Sequence, residues 1–252
     1  MSIDLSRVTG ISDSRGVITE IKDSLGRVIW AVSGGKVILE VEKITSDTYA
    51  GETTYTGEQF ILLDIYPKTN GTVTVTYGGL TKTITDTSGA AEPNAQQVFF
   101  GTFNGVSDSV TTPASGTLTI TGDCVAFGAG TYKTGKAGNA FCGAAIIQVI
   151  DWGENISTIP SRAFQNSTIA NITIPATITK IGDSCFSNCN SLAVVTFLPT
   201  TPPTVLGPFN FPTHMSGAYV ALKSIIVPKG CGDAYKTAGY WSNYASVIIE
   251  VS

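Results

Sequence analysis

Charge is scarce in this chain: Asp, Glu, Lys and Arg together supply 13% of its 252 residues, and the balance is −4. Phosphate backbones are held by clustered Lys and Arg. No such cluster occurs, which argues against nucleic acid as a partner. Histidine is scarcer still, with His214 the only one. A Ser-His-Asp or Cys-His site would have to use it, and a catalytic base needs an orienting partner. Its surroundings, Phe211-Pro212-Thr213-His214-Met215, read as an irregular loop. No apolar run approaches the ~20 residues of a membrane-spanning helix. The five cysteines are an odd number, and Cys185 and Cys189 are not spaced like half of a zinc finger. Neither a disulfide framework nor a structural zinc site is expected, and buried free thiols are.

What the sequence does have is apolar mass. Hydrophobic residues make up 42% and the mean hydropathy is +0.21, which excludes a disordered chain. The length suits two compact domains or three small ones. The opening residues 1–7 lack a basic segment followed by an apolar one, so no secretory signal is read there. The expectation is a product made in the cytoplasm and able to leave as part of a particle.

Along the chain four segments separate. In residues 1–34, Asp13-Ser14-Arg15-Gly16 recurs as Asp23-Ser24-Leu25-Gly26, turn chemistry in which Gly accepts φ > 0. Each copy precedes β-formers, giving two short strands too few to be stable alone. This segment is read as an attachment element. Residues 35–90 read as an antiparallel β-domain: Asn70-Gly71 is a hairpin signal, and Thr72-Val73-Thr74-Val75-Thr76-Tyr77 alternates strictly. That stretch, with Gly78-Gly79 and Leu80-Thr81-Lys82-Thr83, resembles small bacterial immunoglobulin-like or PEGA-like sandwich modules. Residues 91–139 are read as a bridging β-segment.

Residues 140–252 carry a repeat. Ala163-Phe164 is followed by Ile169, Ile172 and Ile174; 22 or 23 residues on come Cys185-Phe186, Leu192, Val195 and Phe197. Going back gives Phe141, Ile147, Ile150 and Trp152, and going forward Leu222, Ile225 and Val227. The period falls in the leucine-rich-repeat range, and stacked turns bury such columns as one continuous core. The stretch Ile178-Thr179-Lys180-Ile181-Gly182-Asp183-Ser184-Cys185-Phe186 resembles the BspA-type leucine-rich-repeat family. The run through Tyr235, Trp241 and Tyr244 is similar to that family's terminal cap. A proline- and aromatic-rich insertion at 199–221 departs from the pattern. The resemblance implies a surface or secreted binding protein and transfers no catalytic residue; similar repeats occur in phage structural proteins. The expected fold class is therefore mainly β: a small antiparallel β-sandwich followed by a short leucine-rich-repeat solenoid with an aromatic C-terminal cap.

Three motifs invite chemistry. Gly130 to Ala137 nearly spells a P-loop, but Ala137 stands where a magnesium-binding hydroxyl is required. Asp123, Asp151, Glu154 and Asp183 would form a glycosidase pair only if two faced one cleft ~5–10 Å apart. Asn70, Asn155, Asn166 and Asn171 begin Asn-x-Ser/Thr sequons, read as a by-product of abundant Asn and Thr. No enzyme activity, cofactor or metal is expected. The function expected first is a phage virion structural protein (tail, baseplate, head-fibre or capsid-decoration component) displaying the repeats, for host attachment; the alternative is a bacterial cell-surface adhesin. Its partners would be other virion proteins through residues 1–34, a host surface protein or glycan, and further copies in an oligomer or large assembly. The candidate binding surface comprises Asp151, Asn171, Thr173 and Thr196, which alternate with core positions, plus His214 and Tyr219 in the insertion.

Overall fold

The computed structural model describes residues 9–12, 18–22, 28–31, 36–45, 59–88, 94–103, 106–108, 113–133, 140–143, 146–207 and 222–251, and before residue 36 only the backbone. Among the described residues the chain is mainly β, with two short helical segments near its end. Strands β1 (Thr9–Ser12), β2 (Ile18–Lys22) and β3 (Val28–Ala31) form an antiparallel three-stranded sheet in that order. The sequence had yielded two strands here; Thr9–Ser12 is a third. Both Asp-Ser-x-Gly copies, residues 13–16 and 23–26, lie outside the described residues.

Among the described residues eleven strands follow: β4 (Val37–Glu42), β5 (Ile44–Thr45), β6 (Gln59–Pro67), β7 (Thr72–Tyr77), β8 (Leu80–Thr85), β9 (Gln96–Phe103), β10 (Val106–Ser107), β11 (Ser115–Gly122), β12 (Cys124–Lys133), β13 (Ala140–Gly143) and β14 (Ile146–Trp152). They make two antiparallel sheets. One runs β10-β9-β6-β12-β13 with β5 also on β6; the other runs β14-β4-β11-β7-β8. In β7 the alternation sorts as the pattern requires: Val73, Val75 and Tyr77 are buried, while Thr72 and Thr76 face solvent. The central strand β6 buries Phe60, Ile61, Leu62, Leu63 and Ile65 completely. Tyr77 of one sheet meets Phe100 of the other edge-on, with centroids 5.7 Å apart.

Three sequence expectations change. Asn70-Gly71 is no hairpin: it carries the chain from β6 in one sheet to β7 in the other. The hairpin is Gly78-Gly79, whose φ values of 56° and 81° suit the primed turn that joins Tyr77 to Leu80. The 91–139 segment does not bridge: β9 pairs with β6, β11 with β4 and β7, and β12 with β6. Local alternation marked these strands, but their long-range partners leave no trace in a short window. Finally, the first repeat copy is antiparallel, with β13 on β12 and β14 on β4.

Beyond Trp152 the strands become parallel. β15 (Thr158–Ile159), β17 (Lys180–Ile181) and β19 (Thr204–Val205) form one ladder. β16 (Asn171–Ile174), β18 (Val194–Phe197), β20 (Ser224–Val227) and β21 (Ile248–Glu250) form another. The arcs between them also bond turn to turn: the N–H groups of Arg162, Phe164 and Asn166 donate to the carbonyls of Asp183, Cys185 and Ser187. Even the left-handed positions repeat, Arg162 with Ser184 and Asn166 with Asn188, all at φ between 56° and 63°. The turns approach closely at Gly182, where a Cβ would lie 2.1 Å from the Ser161 nitrogen. Phe164 and Phe186 stack with centroids 5.5 Å apart. At the end, α1 (Gly232–Thr237) and a 3-10 helix (Gly239–Val247) bring Tyr235 and Trp241 against Phe197. The Tyr235 hydroxyl donates to Pro199 O (2.7 Å) and the Trp241 indole N–H to Pro203 O (3.0 Å).

The antiparallel sheets meet the parallel ladders directly. Ala129 N–H donates to Ala163 O (2.8 Å) and Ser157 N–H to Val125 O (3.4 Å), so β12 occupies the place of a preceding turn. A Cβ on Gly128 would stand 2.8 Å from the Ala163 Cα, so only glycine admits this approach. Trp152 Nε1 donates to Thr173 O (2.7 Å), and Ser167 Oγ to Ile146 O (2.8 Å). Phe127 and Trp152 close on Phe164 at 6.4 and 5.9 Å. The sequence had assigned Phe141 to this aromatic column; its side chain lies outside the described residues, and Phe127 tops the column.

Candidate binding surface

The four-stranded parallel sheet has an inner and an outer face because strand side chains alternate. Inward, Ile172, Ile174, Val195, Phe197, Ile225 and Val227 are buried. Outward, in-register pairing aligns Asn171 with Val194 and Ser224, and Thr173 with Thr196, Ile226 and Ile249. These rows carry no acid or base. Their character changes across the sheet: Asn171 and Thr173 are exposed polar groups, Thr196 and Ile226 are half-buried, and Ile249 is a 50% exposed aliphatic. Leu198 and Val251, just past the ends of β18 and β21, add further exposed apolar surface.

Asn171, Thr173 and Thr196 therefore share one face, as their spacing implied. Asp151 does not join them as an exposed contact. It is 6% exposed, and its carboxylate accepts the Gly153 N–H (2.8 Å). The cause is local: β14 carries two register shifts against β4, between Ile146 and Gln148 and between Val149 and Asp151. A bulge breaks the alternation that the sequence pattern assumed. The same irregularity leaves Ile150, expected in the core, 40% exposed. His214 and Tyr219 lie outside the described residues. The apolar end of the face was missed; its signal was the run Val247-Ile248-Ile249 after the aromatic segment.

The other candidate groups sit in structural roles. Asp123 accepts a long bond from Thr72 N–H (3.4 Å), and Glu154 is exposed. Asp183 lies in an inter-strand turn, its N–H donating to Ser161 Oγ (3.2 Å). Gly130 to Lys133 belong to β12, antiparallel to β13, whereas a P-loop follows a parallel strand. Among the described residues no three His, Cys, Asp or Glu are grouped to hold a metal, and no helix is long and apolar enough to cross a membrane. Cys124, Cys185 and Cys189 are free and buried. Burial pushes the Cys124 and Cys189 thiols up to about 12, and that of Cys185 well above its ordinary value. The Cys189 thiol donates to Phe164 O at 2.9 Å. Glu250 behaves oppositely: the N–H groups of Gly230 (2.9 Å) and Gly232 (2.7 Å) stabilise its carboxylate and lower its pKa.

Compared with known families, residues 137–238 match the BspA type leucine rich repeat region, in six copies. This part of the chain is similar to that family, and the match begins upstream of β13. No curated protein matches the chain.

Proposed function

We propose that the protein is a non-enzymatic binding protein of the adhesin type, displayed at a cell surface, that presents the outer face of a leucine-rich-repeat solenoid. The observation that carries this reading is the uncharged outer face at β16 and β18, within the segment that matches the BspA type repeat. Asn171 and Thr173 offer exposed hydrogen-bonding groups there on β16, an end strand held in register by β18. Rigid elements hold contact residues more precisely than loops do. The antiparallel strands act as an immunoglobulin-like base, and the Tyr235–Trp241 cluster caps the far end of the core. The N-terminal sheet contacts β14 through β3 and serves as the attachment element.

The test uses beads coated with the full chain, scored for retention on an array of matrix proteins, glycans and bacterial envelopes. Retention on at least one surface is expected, with loss in the Asn171→Lys/Thr173→Lys variant at unchanged melting temperature. No retention anywhere, or retention indifferent to the substitutions, would overturn the reading. A virion component is the second reading. It draws on the same small N-terminal sheet, which suits docking on a larger particle, and requires the product to sediment with phage particles.

A further inference from the structure

A lysine stands on the inner face of strand β8. Thr81, Thr83 and Thr85 face solvent, whereas Leu80, Lys82 and Ile84 alternate with them toward the opposite sheet. Lys82 Nζ reaches across to β9 and to the residue just past β10: it bonds the Phe99 carbonyl and pairs with Asp108 Oδ1 at 2.8 Å. The ring centroids of Phe99 and Phe100 lie 4.1 and 4.9 Å from the same nitrogen, and the rings shield it from water on that side.

The carboxylate is fixed as firmly. Asp108 N–H donates to Gly101 O (3.1 Å), and Gly101 N–H donates back to Asp108 Oδ2 (2.7 Å). Gly101 has a φ of 104°, a conformation that favours glycine. The two carboxylate oxygens are thereby divided, Oδ2 on a backbone N–H and Oδ1 on the lysine. The Asp108 side chain is 10% exposed and that of Lys82 29%. A second cation, Lys43, acts on the same carboxylate.

We infer that Lys82 and Asp108 are a self-modification site, whose side chains condense into an amide between Nζ and Cγ. The ammonium passes one proton to Oδ1, which leaves a neutral amine facing a neutral carboxyl group. The nitrogen lone pair then attacks Cγ. The negative charge that gathers on Oδ2 meets the Gly101 N–H, an arrangement of the oxyanion-hole kind, and the Lys43 charge offsets it further. Oδ1 takes a second proton from the attacking nitrogen and departs as water. No oxidant, metal or further reagent is consumed. Free in water, an amine and an acid stay apart as an ion pair; held in contact, they gain an effective concentration of about 10⁵–10⁸ M. The product ties β8, the end strand of its sheet among the described residues, to the sheet that faces it. Such a link withstands a pull to which hydrogen bonds would yield.

The mass of the intact full chain tests this. Wild-type protein should weigh less than its sequence by one water. Trypsin cuts after a free lysine, so an acylated Lys82 should leave residues 69–133 as one piece, again short by one water. Fragmentation of that piece should place the link between Lys82 and Asp108. Lys82→Arg keeps the positive charge but removes the nucleophile; it should show its full sequence mass, with cutting restored after residue 82. Asp108→Ala should likewise show its full mass. Wild-type protein at full sequence mass, or a water loss that maps to any other residue, would overturn the inference. The wild-type measurement needs no variant to fold, and none of these results depends on the ligand-binding face.

Discussion

Truncating Phe164 to alanine probes the joint on which the architecture depends. Its ring is fully buried and touches three aromatic neighbours: Phe127 at 6.4 Å and Trp152 at 5.9 Å from the antiparallel part, and Phe186 at 5.5 Å from the next turn. Such a truncation costs about 3–5 kcal/mol, transfer and cavity terms together, against a typical total stability of about 5–15 kcal/mol. At a urea m-value near 3 kcal/mol/M, the midpoint should fall by about 1–2 M. Phe164→Leu keeps most of the volume and should cost less than about half as much. The assay is urea unfolding followed by fluorescence in Trp30→Phe backgrounds that keep either Trp152 or Trp241. Trp152 reports the joint and Trp241 the far end, with its ring 4.8 Å from that of Phe197. Because backbone bonds and one continuous core link the two parts, both reporters should move to the same lower midpoint. A loss under about 1 kcal/mol, or a Trp241 transition left at its wild-type midpoint, would refute the continuity argued here.

Three further outcomes are expected. Gly182→Ala drives a methyl to 2.1 Å from the Ser161 nitrogen and 2.5 Å from the Pro160 carbonyl carbon; because both are backbone, the turns must separate, costing about 1–3 kcal/mol or more, read as a lowered melting temperature. Glu250 has a folded pKa below its unfolded value, so its contribution is present above about pH 4.3, the ordinary glutamate value, and is lost as pH falls through the lower folded value; Glu250→Gln should flatten the acid side of a stability-versus-pH curve, and an unchanged curve would show the Gly230 and Gly232 contacts to be idle. In a Cys142→Ser background at pH 8, a thiol reagent should label Cys231, which is half-buried, and spare Cys124, Cys185 and Cys189 until urea is added; rapid labelling of any of those three in native protein would contradict their burial.

How much of this was legible in the sequence depended on the range of the interaction. The columns at 169–174, 192–197 and 222–227 were readable because each repeat packs on its neighbour 22 to 30 residues away, so the period itself encodes the contact. The Thr-Val alternation of β7 was readable for a similar local reason. The partners of β9, β11 and β12 were not, since a strand's alternation says which face is buried and nothing of which strand lies beside it. The first repeat copy failed differently. Ile147, Ile150 and Trp152 fit the column spacing, yet β14 is drawn onto β4 with two bulges, which bury Asp151 and expose Ile150. That Asn171, Thr173 and Thr196 share one face was legible because they lie on regular strands. The apolar edge at Ile249 was missed because it becomes a surface only when β21 adds in parallel to β20.

The central claim is that the repeat face is displayed outward, and its most direct measurement is antibody labelling in the organism that encodes the chain. Antibodies raised against the full chain and affinity-selected on residues 146–207 should label intact cells, with no lysis needed. Label confined to sedimenting phage particles would keep the display but move it to the virion. Label found only after lysis, in the soluble fraction and on neither cells nor particles, would contradict the account.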